Sequence, residues 1–314
     1  MIISRTPFRI SFFGGGTDYP VWFEKYGGRV INATINKYCF VTARYLPPFF
    51  NYKNRIRYYQ NEETQNIDEI RHPSVRECAK YLKIKKGVEI VHNADLPAQS
   101  GLGSSSTFTV GLLNALYALK NYMPTKRELA LEAIHVEQNI IGENVGSQDQ
   151  TAAAFGGFNR INFGGVREVE VLPFTIKKKK LEALQDHLLL FFTGFSRTAS
   201  EVATEQIATL SEKKAELHKM MEICNEAESL IVSENDTSID LGKLLNEQWL
   251  IKRDLTNKIS NSEIDLIYEK MIKAGAIGGK LLGAGGGGFM LCYADPSNHE
   301  AIKESLSDLL HVPL

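Results

Sequence analysis

Residues 97–107 read PAQSGLGSSST and stand between an apolar strand at 88–92 and an apolar helix running from about 105 to 119. This junction constrains the fold more than any other stretch. Gly101 and Gly103 let the backbone take positive φ and come close to a ligand. The amides of the helix N-terminus and the hydroxyls of Ser104, Ser105 and Ser106 then converge on one point, where the helix dipole favours an anion such as phosphate. Capping a helix takes one serine, and three serines after two glycines exceed that need. The loop is not of the GxxxxGK[ST] kind: no Lys follows Gly103, and Lys280 is followed by Leu281.

Glycine makes up 25 of the 314 residues, an ordinary share, so placement carries the information. A second run, GAGGGG at 283–288, matches GxGxxG. A strand follows it rather than a helix, so a dinucleotide-binding βαβ unit is not expected. That run reads as a loop beside a bound phosphate or as a flexible turn. The third run closes PFRISFFGGGTDY at 7–19. Arg9 and Ser11 alternate there with Phe8, Ile10 and Phe12 on a strand, so Arg9 faces away from the apolar set. Gly14, Gly15 and Gly16 then turn the chain and present Thr17 and Asp18, the latter a turn residue or a ligand contact.

Two acids stand out. Thr125 and Glu128 form a T-x-x-E capping box that opens a helix to about residue 141. Its apolar stripe contains Ala130, Ala133, Ile134, Ile140 and Ile141, and Glu137 lies on it. An inward carboxylate costs several kcal/mol unless an ion pair or a metal satisfies it, and both solutions remain open. Ser147 and Gln150 repeat the capping pattern at the start of a shorter helix to 154. Asp149 falls in its first turn, where the dipole favours an acid even on a plain surface.

Further strands are expected at 8–13, 28–35, 38–45, 55–59, 158–163, 187–193 and 289–294. Helices are expected at 73–82, 199–233, 241–256 and from 263 to a C-cap at Gly275, with a last helix after Asp295-Pro296. The stretch 164–180, with its GG, a Pro and the lysine run 177–180, marks a domain boundary, and the lysines read as a solvated face or loop. Strands and helices mix without βαβ alternation, which favours an α+β fold.

Charge and cysteine content exclude several classes. The 36 Lys+Arg against 37 Asp+Glu leave a net charge of −1, unlike a nucleic-acid binder that works through bulk electrostatics. No apolar run approaches the roughly eighteen residues of a membrane span, and MIISRTPFRIS lacks the apolar core of a secretory signal. Cys39, Cys78, Cys224 and Cys292 form no CxxC pair and read as buried free thiols in a reducing compartment. A cytoplasmic protein is expected.

The three glycine motifs, in order PFRISFFGGGTDY, PAQSGLGSSST and KLLGAGGGGF (280–289), resemble those of the GHMP small-molecule kinases, the superfamily of galactokinase, homoserine kinase and mevalonate kinase. The resemblance implies an N-terminal ribosomal-S5-like α+β domain (1–170, ATP-binding) and a C-terminal ferredoxin-like α+β domain (171–314), with the active site between them. It implies an ATP-dependent enzyme with Mg²⁺ as cofactor. Pro97, Ala98, Gln99, Ser100, Gly101, Leu102, Gly103, Ser104, Ser105 and Ser106 would hold the ATP phosphates, with Gly285 and Gly286 beside them. Ser105 and Glu137 would hold the metal, Asp149 would accept the substrate hydroxyl proton, and Arg9 would stand next to that acid.

Gly16, Thr17 and Asp18 would meet a sugar, since the family places an acid there that orients a sugar hydroxyl. Galactokinases carry GEHTDY where this chain has Gly14-Gly15-Gly16-Thr17-Asp18-Tyr19, which disfavours galactose. GGGTD resembles the heptose-kinase and fucokinase part of the family, and the stretches INATINKY, LPPFF and HPSVRE are most similar to its heptose 7-phosphate kinase branch. That branch implies phosphorylation of the anomeric hydroxyl of D-glycero-D-manno-heptose 7-phosphate to the 1,7-bisphosphate. The alternatives are another sugar such as fucose, or a non-catalytic sugar sensor on the same fold. The substrate's own phosphate needs cations, with Arg197, or Arg55 and Arg57, as candidates. Expected partners are ATP and a small sugar or sugar phosphate, with neither nucleic acid nor membrane.

Overall fold

The structure is a computed structural model, and it describes residues 1–98, 100–166, 168–194, 199–210 and 212–314. Strand β1 (Ile2–Phe13) leads through α1 (Pro20–Tyr26) into β2 (Gly28–Tyr45), followed by β3 (Asn54–Arg57) and β4 (Asn61–Thr64). Next come α2 (Pro73–Tyr81), β5 (Val88–Ala94), α3 (Ser104–Leu119) and α4 (Lys126–His135), which runs into a π-helical turn (Val136–Ile141). After α5 (Gln148–Phe155) follow β6 (Phe158–Phe163), β7 (Val169–Pro173), α6 (Lys178–Asp186) and β8 (Leu188–Gly194). Four helices then run in succession: α7 (Ala199–Thr209), α8 (Lys214–Val232), α9 (Ser238–Arg253) and α10 (Ser262–Lys273). The chain ends with β9 (Ala276–Leu281), β10 (Gly288–Ala294), α11 (His299–Ser305) and β11 (Leu310–His311).

The chain forms two compact units, neither of them a single stretch. The first contains Met1–Arg9, Thr34–Ala98 and Gly103–Gly156. Here the second half of β2 pairs antiparallel with β5, from Cys39 opposite Ala94 to Tyr45 opposite Val88. On its other side β5 pairs in parallel with β3, with α2 on the connection between them. The centre of this unit is α3, whose Phe108, Val110, Leu112, Leu113, Ala115 and Leu116 are all buried. A helix apolar on every side needs cover all round, and α2, α4 and α5 supply it.

The second unit contains Ile10–Ala33, Gln99–Leu102 and Gly157–Leu314. The first half of β2 pairs here with β6, from Gly28 opposite Phe163 to Ala33 opposite Phe158, and β6 with β7. A four-stranded antiparallel sheet runs β11-β8-β10-β9, with α9 and α10 packed on β9. Its core includes Trp22, Phe191, Trp249 and Met290. The mixture of helices and mostly antiparallel strands is the α+β class that the sequence implies.

Several local expectations change. Residues 28–45 form one continuous strand: β6 pairs with Gly28–Ala33, β5 pairs with Cys39–Tyr45, and β1 pairs with β2 as well. The helix expected over 199–233 is two helices, α7 and α8. The lysine run opens α6, a helix not foreseen, and the Lys180 ammonium donates to the Leu230 and Ser233 carbonyls at the end of α8. A cation there satisfies carbonyls at the helix C-terminus that have no partner within the helical ladder. The capping box at Thr125 forms as expected: Thr125 N–H donates to Glu128 at 2.7 Å and Glu128 N–H to Thr125 Oγ1 at 3.2 Å. Ser147, by contrast, makes no cap bond to α5; its hydroxyl accepts from Gln138 Nε2 at 3.1 Å. All four cysteines are buried and unbridged. Among the described residues no helix is long and apolar enough to cross a membrane.

Candidate active site

In the first unit β5 delivers the chain to the loop that opens α3. Gly103 precedes the helix with φ of +76°, a left-handed conformation that favours glycine. The first-turn amides of a helix lie ahead of its own hydrogen-bond ladder and point out of its N-terminus. Of the three serines, Ser104 is half-buried, Ser105 exposed and Ser106 buried, so their hydroxyls point in different directions. Upstream, Pro97 is half-buried and Ala98 exposed, while Ser100 and Leu102 are buried. Gln99 lies outside the described residues.

Against Gly103 sits a carboxylate–guanidinium pair. Arg9, almost wholly buried on β1, donates from Nε to Asp149 Oδ1 and from Nη2 to Asp149 Oδ2, both at 2.7 Å. Such a two-pronged contact fixes the carboxylate plane as well as its place. A Cβ built on Gly103 would stand 3.2 Å from Asp149 Oδ2 and 3.4 Å from Arg9 Cγ. The absent side chain therefore lets the helix start close to the pair. The Asp149 side chain keeps 24% of its surface accessible, whereas that of Arg9 keeps 4%.

Glu137 lies in the π-helical turn and is completely buried. The turn changes the helical register after His135, so Ile140, expected on the buried stripe, is exposed. Ser106 Oγ donates to Glu137 Oε2 at 2.7 Å, and Gln150 Nε2 donates to the same oxygen. Thr109 approaches the carboxylate without closing a bond. Burial pushes the Glu137 carboxyl up to about 7, against the lowering effect of the nearby Thr109, Ser106 and Gln150 donors. Ser106 reaches Glu137 directly while Ser105 is exposed, because consecutive helical residues point about 100° apart. No described ion pair involves Glu137, and its Oε1 makes no hydrogen bond among the described residues. A buried hard oxygen with spare lone pairs, near the serine turn of α3, suits a cation such as Mg²⁺. Among the described residues no cluster of three His, Cys, Asp or Glu exists, so other ligands would come from phosphate or water.

In the second unit the other two glycine runs have close-packing duties. A Cβ on Gly101 would lie 2.4 Å from the Leu282 carbonyl oxygen, and one on Gly283 would lie 2.4 Å from Gly101 Cα. Residues 100–102 and 282–288 thus meet backbone to backbone. Gly285 stands against Ile259, and Gly286 N–H donates to the Ile259 carbonyl at 3.0 Å. Lys252, buried on α9, donates to the Gly283 carbonyl at 2.5 Å. Lys280, buried on β9, donates to the Phe12 carbonyl at 2.9 Å, just before the Gly14–Gly16 turn.

In that turn Thr17 is fully buried, and its hydroxyl donates to the Gly14 carbonyl (2.8 Å) or the Arg29 carbonyl (3.0 Å) and accepts from Arg29 N–H. Thr17 locks the turn from inside. Asp18 is also buried and accepts from Gly16 N–H at 2.9 Å. Of the cations considered for a substrate phosphate, Arg197 lies outside the described residues. Arg55 pairs with Glu89, which Arg44 also contacts, and Arg57 is exposed. Sequence reasoning missed Thr109, Gln150, Lys252 and Lys280 as members of these clusters. The only signal was polarity in apolar company, as for Lys280 on a strand of Leu and Gly.

A glycine–serine loop at a helix start, a fork-held carboxylate against Gly103 and a buried acid on Ser106 of the first helical turn suit a phosphotransferase for small molecules. The chain belongs to the GHMP kinases. The family's N-terminal domain matches residues 73–157 and its C-terminal domain residues 236–311. The chain is 32% identical to the D-glycero-alpha-D-manno-heptose 7-phosphate kinase of Campylobacter jejuni, over 97% of this chain and 93% of that protein. It is 26% identical to the galactokinase of Pyrococcus furiosus, over 97% and 92%. A crystal structure of a D-glycero-D-manno-heptose 1-phosphate kinase from Bacteroides thetaiotaomicron shares the fold, with a TM-score of 0.80 at 24% identity, over 100% of this chain and 95% of that one. The chain is thus an ATP-dependent kinase of small molecules.

Proposed function

We propose that this chain transfers the γ-phosphoryl group of ATP to the anomeric hydroxyl of D-glycero-D-manno-heptose 7-phosphate, giving ADP and the 1,7-bisphosphate that nucleotide-heptose synthesis needs. The Campylobacter relative's name supports the acceptor. The observation that carries the chemistry is the Arg9–Asp149 pair seated against Gly103, which brings a base to the start of the phosphate helix. The anomeric oxygen forms a bond to the γ-phosphorus as the bond from that phosphorus to the β,γ-bridging oxygen breaks, and ADP leaves with the electron pair. Asp149 takes the hydroxyl proton, and Arg9 holds its carboxylate in the plane that faces the acceptor. The first-turn amides of α3 and the loop 97–106 receive phosphate oxygens. Mg²⁺ held by Glu137 and Ser105 would neutralise charge on the phosphates.

Gly16 and Asp18 are assigned to the sugar, with Thr17 contributing through the turn it locks, and Arg197 to the substrate's own phosphate. Gly285 and Gly286 are assigned to the nucleotide side, and a division near residue 170 to the two family domains. A cytoplasmic setting fits the four buried thiols. The test is ADP production against a panel of sugars and their 6- and 7-phosphates, with the phosphorylated position read by ³¹P NMR. Turnover on heptose 7-phosphate with a new anomeric phosphate is expected. Robust turnover on fucose or another unphosphorylated sugar, with none on heptose 7-phosphate, would replace the acceptor.

A further inference from the structure

Two consecutive side chains of α5 serve different carboxylate contacts. Asp149 meets Arg9, whereas Gln150, with no exposed surface, reaches Glu137. Ser106, from the first turn of α3, reaches the same carboxylate. Both donors converge on Oε2, whereas Oε1 closes no hydrogen bond among the described residues, although the Thr109 hydroxyl stands beside the carboxylate. Leaving a buried acceptor bare costs about 1–3 kcal/mol, so a doubly held oxygen beside a bare one calls for a role. Two donors on one oxygen also stop the carboxylate from rotating about its own axis, which leaves the second oxygen in one direction.

We propose that Ser106 and Gln150 are positioning residues: they pin Oε2 of Glu137 so that Oε1 is presented to the divalent cation that accompanies ATP. This rests on the reading of Glu137 as a metal ligand. Gln150 adds a second effect. As the neighbour of Asp149 in the first turn of α5, it ties the carboxylate to the segment that carries the base. Displacing one then displaces the other. Outer-shell partners of ligating groups commonly change metal affinity by about 10–100-fold when removed.

The experiment uses full-length chain carrying Ser106→Ala, Ser106→Thr, Gln150→Met or Glu137→Gln. Mn²⁺ affinity is read by electron paramagnetic resonance with a non-hydrolysable ATP analogue bound, and urea unfolding is followed in parallel. Ser106→Ala and Gln150→Met should each weaken Mn²⁺ by about 10–100-fold, and Ser106→Thr, which restores a hydroxyl, should recover most of that loss. A purely structural role would lower the urea midpoint and leave Mn²⁺ affinity alone. Mn²⁺ affinity within about twofold of wild type in both variants, while Glu137→Gln weakens it, overturns the positioning role only. An unchanged affinity in Glu137→Gln overturns the ligand reading itself, and the positioning role with it.

Discussion

At Glu137 burial and hydrogen bonding act in opposite directions, and burial wins. The carboxyl stands at about 7, above its ordinary 4.5, so between those values the folded chain binds more protons than the unfolded one. Stability of the metal-free protein therefore falls as pH rises through that window, by at most about 1.4 kcal/mol per pH unit. Glu137→Gln removes this titration and should flatten the profile. Urea midpoints from pH 4.5 to 7 in a chelator check it, and equal slopes in both proteins would refute it. At Asp149 the contact geometry matters more than burial. Asp149→Asn keeps the shape but cannot take the proton, so kcat should fall by about 10²–10⁴ while ATP-analogue binding survives. A variant turning over near the normal rate would remove the base assignment.

Among the elements, α4 shows how local chemistry supports a site some distance away. Its capping box fixes the start of the helix that ends in the Glu137 turn. Thr125→Ala should cost about 1 kcal/mol in urea unfolding, and no loss would show that the box is idle. The loops at 101 and 283 make the opposite case, where packing decides. At Gly101, φ is +81° and an added Cβ would meet the Leu282 carbonyl, so Gly101→Ala should cost about 1–3 kcal/mol and weaken ATP-analogue binding. Calorimetric titration alongside urea unfolding separates the two effects. Elements with a strong local signature were legible in sequence: the capped start of α4, the apolar α3, the strands β5 and β6. The register shift after His135 was not, because a π turn leaves the same residue types in the same order. Nor was the continuity of β2, since Asn36 and Lys37 look like a break until β5 and β6 supply partners on either side.

On the scale of the whole molecule, the chain passes repeatedly between its two units, so neither is a contiguous piece of sequence. The cysteines give a simple global probe of that packing. Burial raises all four thiols, Cys39 and Cys224 to about 12 and Cys78 and Cys292 well above the usual range. Ellman's reagent should find almost no reactive thiol in the native protein and four in denaturant; a fast-reacting thiol in the native state would contradict the burial. The sequence by itself determined the α+β class, the glycine–serine loop that opens α3, the family and the identity of Glu137 as an acid on an apolar face. These depend on local spacing and on residue types that only a few roles can use. Only the tertiary structure decided that Arg9 grips Asp149 across 140 positions, that Ser106 and Gln150 share one oxygen of Glu137, and that the glycines at 101 and 283 serve each other. Contacts of that kind arise from how distant segments pack, and packing leaves no periodicity in the chain to be read.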